Sequence, residues 1–230
     1  MLKAFKVSSV IIVALLLLMI SVSCGSTGPA PSGALPVLHT GDTWTQQMSV
    51  NDNGFTEATL VSGQQVYNGI DCYTLFETFT PAWIGISTMT TQIDKTTLNP
   101  VGVEAYGSVN GIAFTITTNI SDDYSVKPYP LSVDKTWTDT ESATTTTLAS
   151  GQSNTSTEIY NYTVKVESME SVKVPAGTFK CFKMVRYIGS TNAVDATLWV
   201  TTDIGVLGGV KEIDSHDGLM WELMSYSLSK

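Results

Sequence analysis

This chain predicts an all-β fold: a curved antiparallel sheet, half-barrel or flattened barrel built from two similar β-meander halves, with little helix beyond its first residues. Three observations carry that reading. Charged residues make up only 14% of the chain, and the polarity comes mostly from Thr and Ser. Thr and Val suit a half-buried pleated surface, whereas the good helix formers Glu, Lys, Arg and Ala are sparse. After residue 24 no stretch sustains a 3.6-residue apolar period. Finally, Asn110-Gly111 and Asp217-Gly218 are strong hairpin signals, since the favoured two-residue turn needs positive φ at both central positions.

The N-terminus gives an address. Lys3 and Lys6 begin it, an unbroken apolar run follows from Val10 to Ile20, and Ser21, Ser23 and Gly25 surround Cys24. This is the basic, apolar and small-residue order of an export signal, and its apolar run is short for a permanent membrane span. The segment resembles a bacterial lipobox, with Cys24 at the acceptor position and Ser21 where the family usually has an aliphatic residue. The resemblance implies a signal peptide over 1–23 and a lipidated Cys24. It also implies an extracytoplasmic protein, anchored by lipid at the cell surface or in the periplasm. Removing 1–23 takes Lys3 and Lys6 and leaves 10 basic against 21 acidic residues, a formal charge of −11 rather than −9. Nucleic acid is excluded as a partner, because binding it needs a cationic surface that releases counterions. Acidic surface also disfavours anionic lipid, so the membrane is held through the acyl chains, each buried methylene contributing roughly 0.8 kcal/mol.

Residues 24–36 read as a flexible Gly/Ser/Pro tether, and 37–230 as a single domain large enough for one core. Its halves, about 41–119 and 134–228, share an ordered series of short matches. Thr43-Trp-Thr45 recurs as Thr136-Trp-Thr138, Cys72 to Asp94 aligns without a gap on Cys181 to Asp203, and Val101-Gly-Val103 matches Gly208-Gly-Val210. Val109-Asn-Gly-Ile112 and His216-Asp-Gly-Leu219 close the series. In the second half, strands are expected at 138–148, 157–169, 179–188, 196–202, 206–213 and 220–228. Between the first two lies a loop at 149–154, and Val174-Pro-Ala-Gly177 forms a tight turn before the third.

Trp44, Trp137, Trp199 and Trp221 are expected in the core. Trp83 differs, because Pro81 and Gly85 interrupt its strand pattern. A loop carrying Phe79, Trp83, Ile84 and Ile86 could line or cap an apolar pocket, insert at a membrane, or bury itself as a strand connection. Cys72 and Cys181 could form one disulfide of an exported protein or remain two buried thiols. Glu212, Asp214, His216 and Asp217 lack the spacing of a calcium loop or a zinc site, and a solvated hairpin tip explains them. His39 and His216 are the only histidines, and there is neither a nucleophile elbow nor a phosphate-cradling loop. Neither an enzyme nor a cofactor or metal is expected. Asn119, Asn154 and Asn161 fit the N-glycosylation pattern, which becomes relevant only for an archaeal source.

The stretch Val172-Lys-Val-Pro-Ala-Gly-Thr-Phe-Lys-Cys-Phe-Lys183, with Trp199-Val-Thr-Thr-Asp-Ile-Gly-Val206 after it, resembles a motif of exported prokaryotic β-proteins. Those proteins are similar to the half-barrel localisation factors LolA and LolB. The resemblance implies a curved sheet with an apolar concave face, which in the localisation factors holds acyl chains; this chain lacks their plugging helices. The expected function is a lipid-anchored binding module for a hydrophobic small molecule or lipid. The alternative is a structural or protein-interaction lipoprotein of the envelope with no small ligand, its partner unknown. Replacing Cys24 by Ser should leave the precursor uncleaved or release the chain to the soluble fraction, as fractionation and immunoblotting would show. Unchanged processing and membrane association would overturn the anchor.

Overall fold

The computed structural model describes residues 32–50, 53–124, 127–189, 193–202, 209–215 and 218–229. Among these, twelve strands follow one another around a single closed ring, every neighbour antiparallel. They are β1 (Thr43–Val50), β2 (Asn53–Tyr67), β3 (Ile70–Trp83), β4 (Ile86–Asp94), β5 (Pro100–Val109) and β6 (Ile112–Tyr124). The ring continues with β7 (Thr136–Ala149), β8 (Gln152–Val174), β9 (Gly177–Ile188), β10 (Ala193–Val200), β11 (Lys211–Asp214) and β12 (Leu219–Ser227). β1 pairs with β12 from Thr43↔Ser227 to Val50↔Leu219, so the wall is a barrel and not an open half-barrel. Asp42 helps to seal this seam, accepting hydrogen bonds from the backbone N–H of His39 and of Ser229, each at 2.7 Å.

Local chemistry sets the turns. Asn68-Gly69, Ile84-Gly85, Asn110-Gly111 and Ser150-Gly151 all have positive φ at both residues, from 44° to 91°, matching the right-handed twist of the flanking strands. Gly85 has a second constraint, because a Cβ there would lie 2.5 Å from Val109 and 2.7 Å from the Ser108 carbonyl. The expected loop at 149–154 therefore shrinks to Ser150-Gly151, with Ala149 directly opposite Gln152.

Period-two alternation fills the interior. β7 turns Trp137, Asp139, Glu141 and Ala143 inward and leaves Thr136, Thr138 and Thr140 outside. One continuous apolar core results, with Trp44, Trp137 and Trp221 almost fully buried. Trp199 departs from expectation: it lies half-buried on the outer side of β10, its indole N–H donating to Glu170. The outer faces of β7 and β8 carry hydroxyl pairs, Thr144–Thr157 and Thr146–Thr155, each at 2.9 Å.

Because odd strands all run one way, the barrel has two distinct poles. One holds the β2–β3 and β8–β9 turns, the chain after β12 and the segment before β1. That segment is docked: the Gly33 N–H donates to Thr202 Oγ1 at 2.9 Å, the Gly33 carbonyl accepts from Leu131 N–H at 2.6 Å, and Leu35 and Leu38 join the core. The tether expected over 24–36 is therefore fixed to the barrel from residue 32 onward. The Val174-Pro-Ala-Gly177 turn folds over the same pole, where Ala176 N–H donates to Leu223 O at 3.1 Å and Phe179 is 1% exposed. The opposite pole holds the β3–β4, β5–β6 and β7–β8 turns.

Six described strands precede residue 125 and six follow it. The β2–β3 register slips after Val61 and the β8–β9 register after Val166. Each of these valines accepts a backbone bond from a positive-φ residue, Gly41 and Asp134 respectively. The gapless alignment of 72–94 on 181–203 needs correction. Tyr73 faces Ile93 while Phe182 faces Val200, so β10 sits two residues out of that register.

Trp137→Ala should cost about 3–5 kcal/mol of unfolding free energy, and Trp199→Ala less than half of that, as measured by urea denaturation. Equal losses would contradict the placement of Trp199 on the outer wall.

Candidate functional site

Two places concentrate chemistry: the pole opposite the docked N-terminal segment, and a polar layer inside the barrel. At that pole, Pro81 and Gly85 bracket a hairpin that sends Trp83 inward. Phe55, Phe79 and Trp83 form a mutual aromatic cluster with ring centroids 5.8–6.3 Å apart. Phe79, Trp83 and Ile86 are 5%, 6% and 1% exposed and belong to the continuous core, whereas Ile84 is 41% exposed on the turn. Of the four residues expected to line a pocket, three therefore pack against their neighbours and only Ile84 reaches the surface. β3 continues to Trp83 despite Pro81, because Pro81 lies where the β3–β4 register is interrupted between Thr78 and Trp83.

Beside this hairpin a groove of about 360 Å³ runs over Tyr106, Ala113, Phe114, Thr115 and Leu148 to the Ser150-Gly151 turn. Tyr106 and Leu148 lie on either side of Thr115 in one cross-strand row, and both are more than 40% exposed. The turn bearing Ile84 abuts the β5–β6 turn through Ser108 N–H donating to Gly85 O at 2.9 Å. Sequence reasoning found the Asn110-Gly111 turn but not this groove, which exists only once β5, β6 and β7 lie side by side.

The interior layer centres on Arg186, the only arginine in the chain and 3% exposed. Its Nε donates to Asp195 and its Nη2 to Asp214 at 3.3 Å, and the guanidinium lies 5.1 Å from the Tyr162 ring centroid. A β-bulge between Val194 and Ala196 turns Asp195 inward. Burial disfavours the guanidinium charge, but Asp195 and Glu212 outweigh it and raise the Arg186 pKa. Carboxyls outnumber this one cation. Burial pushes Glu212 up to about 8, Arg186 opposing and Asp214 adding. Burial and the Asp122 charge push Glu141 up to about 8 and Asp139 to about 7. Across the barrel, burial raises Glu57 to about 7, and burial with Glu57 beside it raises Glu77. Thr91 donates to Glu77 at 2.8 Å and the Trp221 indole to Glu212 at 3.2 Å. Sequence reasoning missed this layer because Asp139 and Glu141 alternate with Thr, Thr and Ser, so neither face of β7 looks apolar.

Cys72 and Cys181 are buried thiols that form no disulfide, which removes the disulfide alternative; they bond to the carbonyls of Ile70 and Phe179. Among the described residues, no group of three or more His, Cys, Asp or Glu is placed to hold a metal ion. Glu212 and Asp214 belong to the arginine layer, while Cys24, His216 and Asp217 lie outside the described residues.

The DUF3108-like family matches residues 112–220, from β6 into β12. Among solved structures, the chain is similar to a Bacteroides fragilis protein inferred to be exported and described with a YmcC-like fold. That pair is 12% identical, covers 84% of this chain and 99% of the other, and has a TM-score of 0.40. It is also similar to a Parabacteroides distasonis protein inferred to be a lipoprotein, at 11% identity, with 87% and 100% coverage and a TM-score of 0.37. Among curated proteins none matches.

Two outcomes follow from this geometry. The raised carboxyls hold their protons to higher pH in the folded chain than in the unfolded one. Their contribution to stability is thus full below the ordinary carboxylate range and is lost as pH rises through about 7 to 8. The melting temperature should fall by about 5 °C or more between pH 5.5 and pH 8.5, and Glu212→Gln should flatten that slope. A slope unchanged by Glu212→Gln would refute the assignment. In addition, Trp83→Ala should destabilise the chain about as much as Trp137→Ala, roughly 3–5 kcal/mol, since both lie in the same core.

Proposed function

We propose that the chain is a lipid-anchored, extracytoplasmic lipoprotein whose barrel is a non-enzymatic interaction domain without a bound small molecule. The observation that carries this reading is the opposition of the two poles. The chain from Ser32 onward docks at one pole through Gly33, and the exposed apolar groove of Tyr106 and Leu148 opens at the other. A chain held at Cys24 presents the groove away from its anchor. Phe79, Trp83 and Ile86, three of the four residues expected to line a lipid pocket, instead pack into the core. The export and lipobox features of residues 1–24 support the location.

We also read the barrel as a duplicated six-stranded unit. The matching register slips after Val61 and Val166, and the second-position tryptophans of β1 and β7, favour it.

Carriage of a lipid or fatty acid in the groove is the competing reading, favoured by its apolar lining. Titration of the purified protein with a fluorescent fatty acid separates the two. The interaction reading expects no saturable uptake. Saturable uptake that Leu148→Glu abolishes, at unchanged melting temperature, would replace it with a lipid-binding function.

A further inference from the structure

Three segments close the pole at which the chain from Ser32 docks. The first, 32–40, leads into β1; the second, 127–135, joins β6 to β7; the third, 173–178, is the β8–β9 turn with its flanks. All three are fixed by hydrogen bonds. Leu131 N–H donates to Gly33 O, Lys135 Nζ donates to the carbonyls of Pro128 and Pro130 at 2.7 and 2.9 Å, and Ala176 N–H donates to Leu223 O. Each buries an apolar side chain against the barrel, Leu38, Leu131 and Val174 in turn. Each also holds one outward: Val37 at 65% exposure, Val133 at 44%, and the exposed Pro175.

The charge of these segments is opposite to that of the chain. They contain Lys127, Lys135 and Lys173 against Asp134 alone, whereas the whole sequence has 21 acidic and 12 basic residues. Lys127 and Lys173 are exposed. Acids beside the segments are engaged: Asp42 with the N–H groups of His39 and Ser229, Asp71 with Lys95 at 2.7 Å, and Asp122 with the Asn99 amide at 2.9 Å. At the opposite pole, no charged residue lies within five positions of Ile84-Gly85, Asn110-Gly111 or Ser150-Gly151.

We propose that this pole rests on the headgroup layer of the membrane that holds Cys24, with Val37, Val133 and Pro175 among the headgroups and Lys127 and Lys173 facing lipid phosphates. The covalent chain argues for that occupant. Eight residue steps lead from Cys24 to Ser32, a reach of at most about 28 Å, and they arrive at this pole. An acylated Cys24 thus keeps the pole at high local concentration over the bilayer, where a contact too weak to hold a free protein is sufficient. Apolar side chains beside lysines suit such a surface, because lysine stems cover apolar area while the ammonium stays with phosphate and water. The acidity that disfavours anionic lipid is reversed on the face that meets it. Docking sets the barrel upright and holds the groove of Tyr106 and Leu148 on the far side. The inference rests on the lipid-anchor reading. Flotation reads the anchor and quenching reads the docking, so each can fail alone.

The test uses the full chain, purified from membranes and reconstituted in vesicles of phosphatidylethanolamine with phosphatidylglycerol. Val37→Cys, Val133→Cys and, at the opposite pole, Leu148→Cys each carry a thiol-reactive fluorophore. Cys72 and Cys181 are buried and Cys24 is acylated, so each variant has one reactive thiol. The chain should float with the vesicles; a chain that does not overturns the anchor and this proposal with it. Lipid spin-labelled at the headgroup should quench the Val37→Cys and Val133→Cys probes at least about threefold more than Leu148→Cys, since the length of β7, 14 residues, separates the poles. Val133→Cys repeats the reading on a separate segment should Val37→Cys fail to fold. Lys127→Glu combined with Lys173→Glu should lower that quenching by at least about half, at unchanged flotation and melting temperature. In a chain that floats, equal quenching at both poles, or quenching unaltered by the lysine exchange, would overturn the docking.

Discussion

Pairing between β1 and β12 is the contact on which the other features depend. Without it the sheet would end in two long edges, each a row of unpaired N–H and C=O groups open to any passing strand. Asp42 links the two ends of the chain by accepting from both His39 and Ser229 N–H groups, so the first and last strands are held in register where they meet. Closure also makes the inward faces of all twelve strands into one interior. The aromatic cluster of Phe55, Phe79 and Trp83 and the buried Trp44, Trp137 and Trp221 therefore share a single core.

Apolar side chains do not take every inward position of the ring, and polar groups occupy the remainder. Isolated ions there would be prohibitively costly. Two devices reduce the cost: the guanidinium of Arg186 holds Asp195 and Asp214, and the surplus carboxyls of Glu141, Glu212 and Asp139 have raised affinity for protons. The layer is thus a structural consequence of closure with a titratable character. It makes the barrel sensitive to alkaline rather than acidic conditions over the range in which these groups ionise.

The two poles differ because the connections at each differ. At one, Tyr106 and Leu148 stay exposed around a groove, whereas the folded-over Val174–Gly177 turn and the docked segment from Gly33 to Leu38 cover the other. The Val-Pro-Ala-Gly-Thr-Phe stretch has a clear role in this arrangement. Its turn covers the barrel end, with Ala176 bonded to β12 and Phe179 in the core.

Much of the fold was legible in the chain itself. Asn110-Gly111 announces a hairpin because its turn chemistry is local, and the Thr-rich run of β7 announces a strand because β-branched residues suit a pleat. The core placement of Trp44, Trp137 and Trp221 follows from their position in such strands. What local pattern leaves open is which face of a strand points inward when both are polar, as with Asp139 and Glu141 among threonines. It also leaves open which remote groups meet, such as Arg186 with Asp214, 28 residues away. Trp83 shows the same limit, since its flanking Pro81 and Gly85 suggest an exposed loop, and only packing against Phe55 places it in the core. Strand identity and turn type are short-range properties of neighbouring side chains and φ preferences, so the sequence alone determined them. Closure of the ring and the arginine layer depend on hydrogen-bond register between distant strands, and only the tertiary structure decided them.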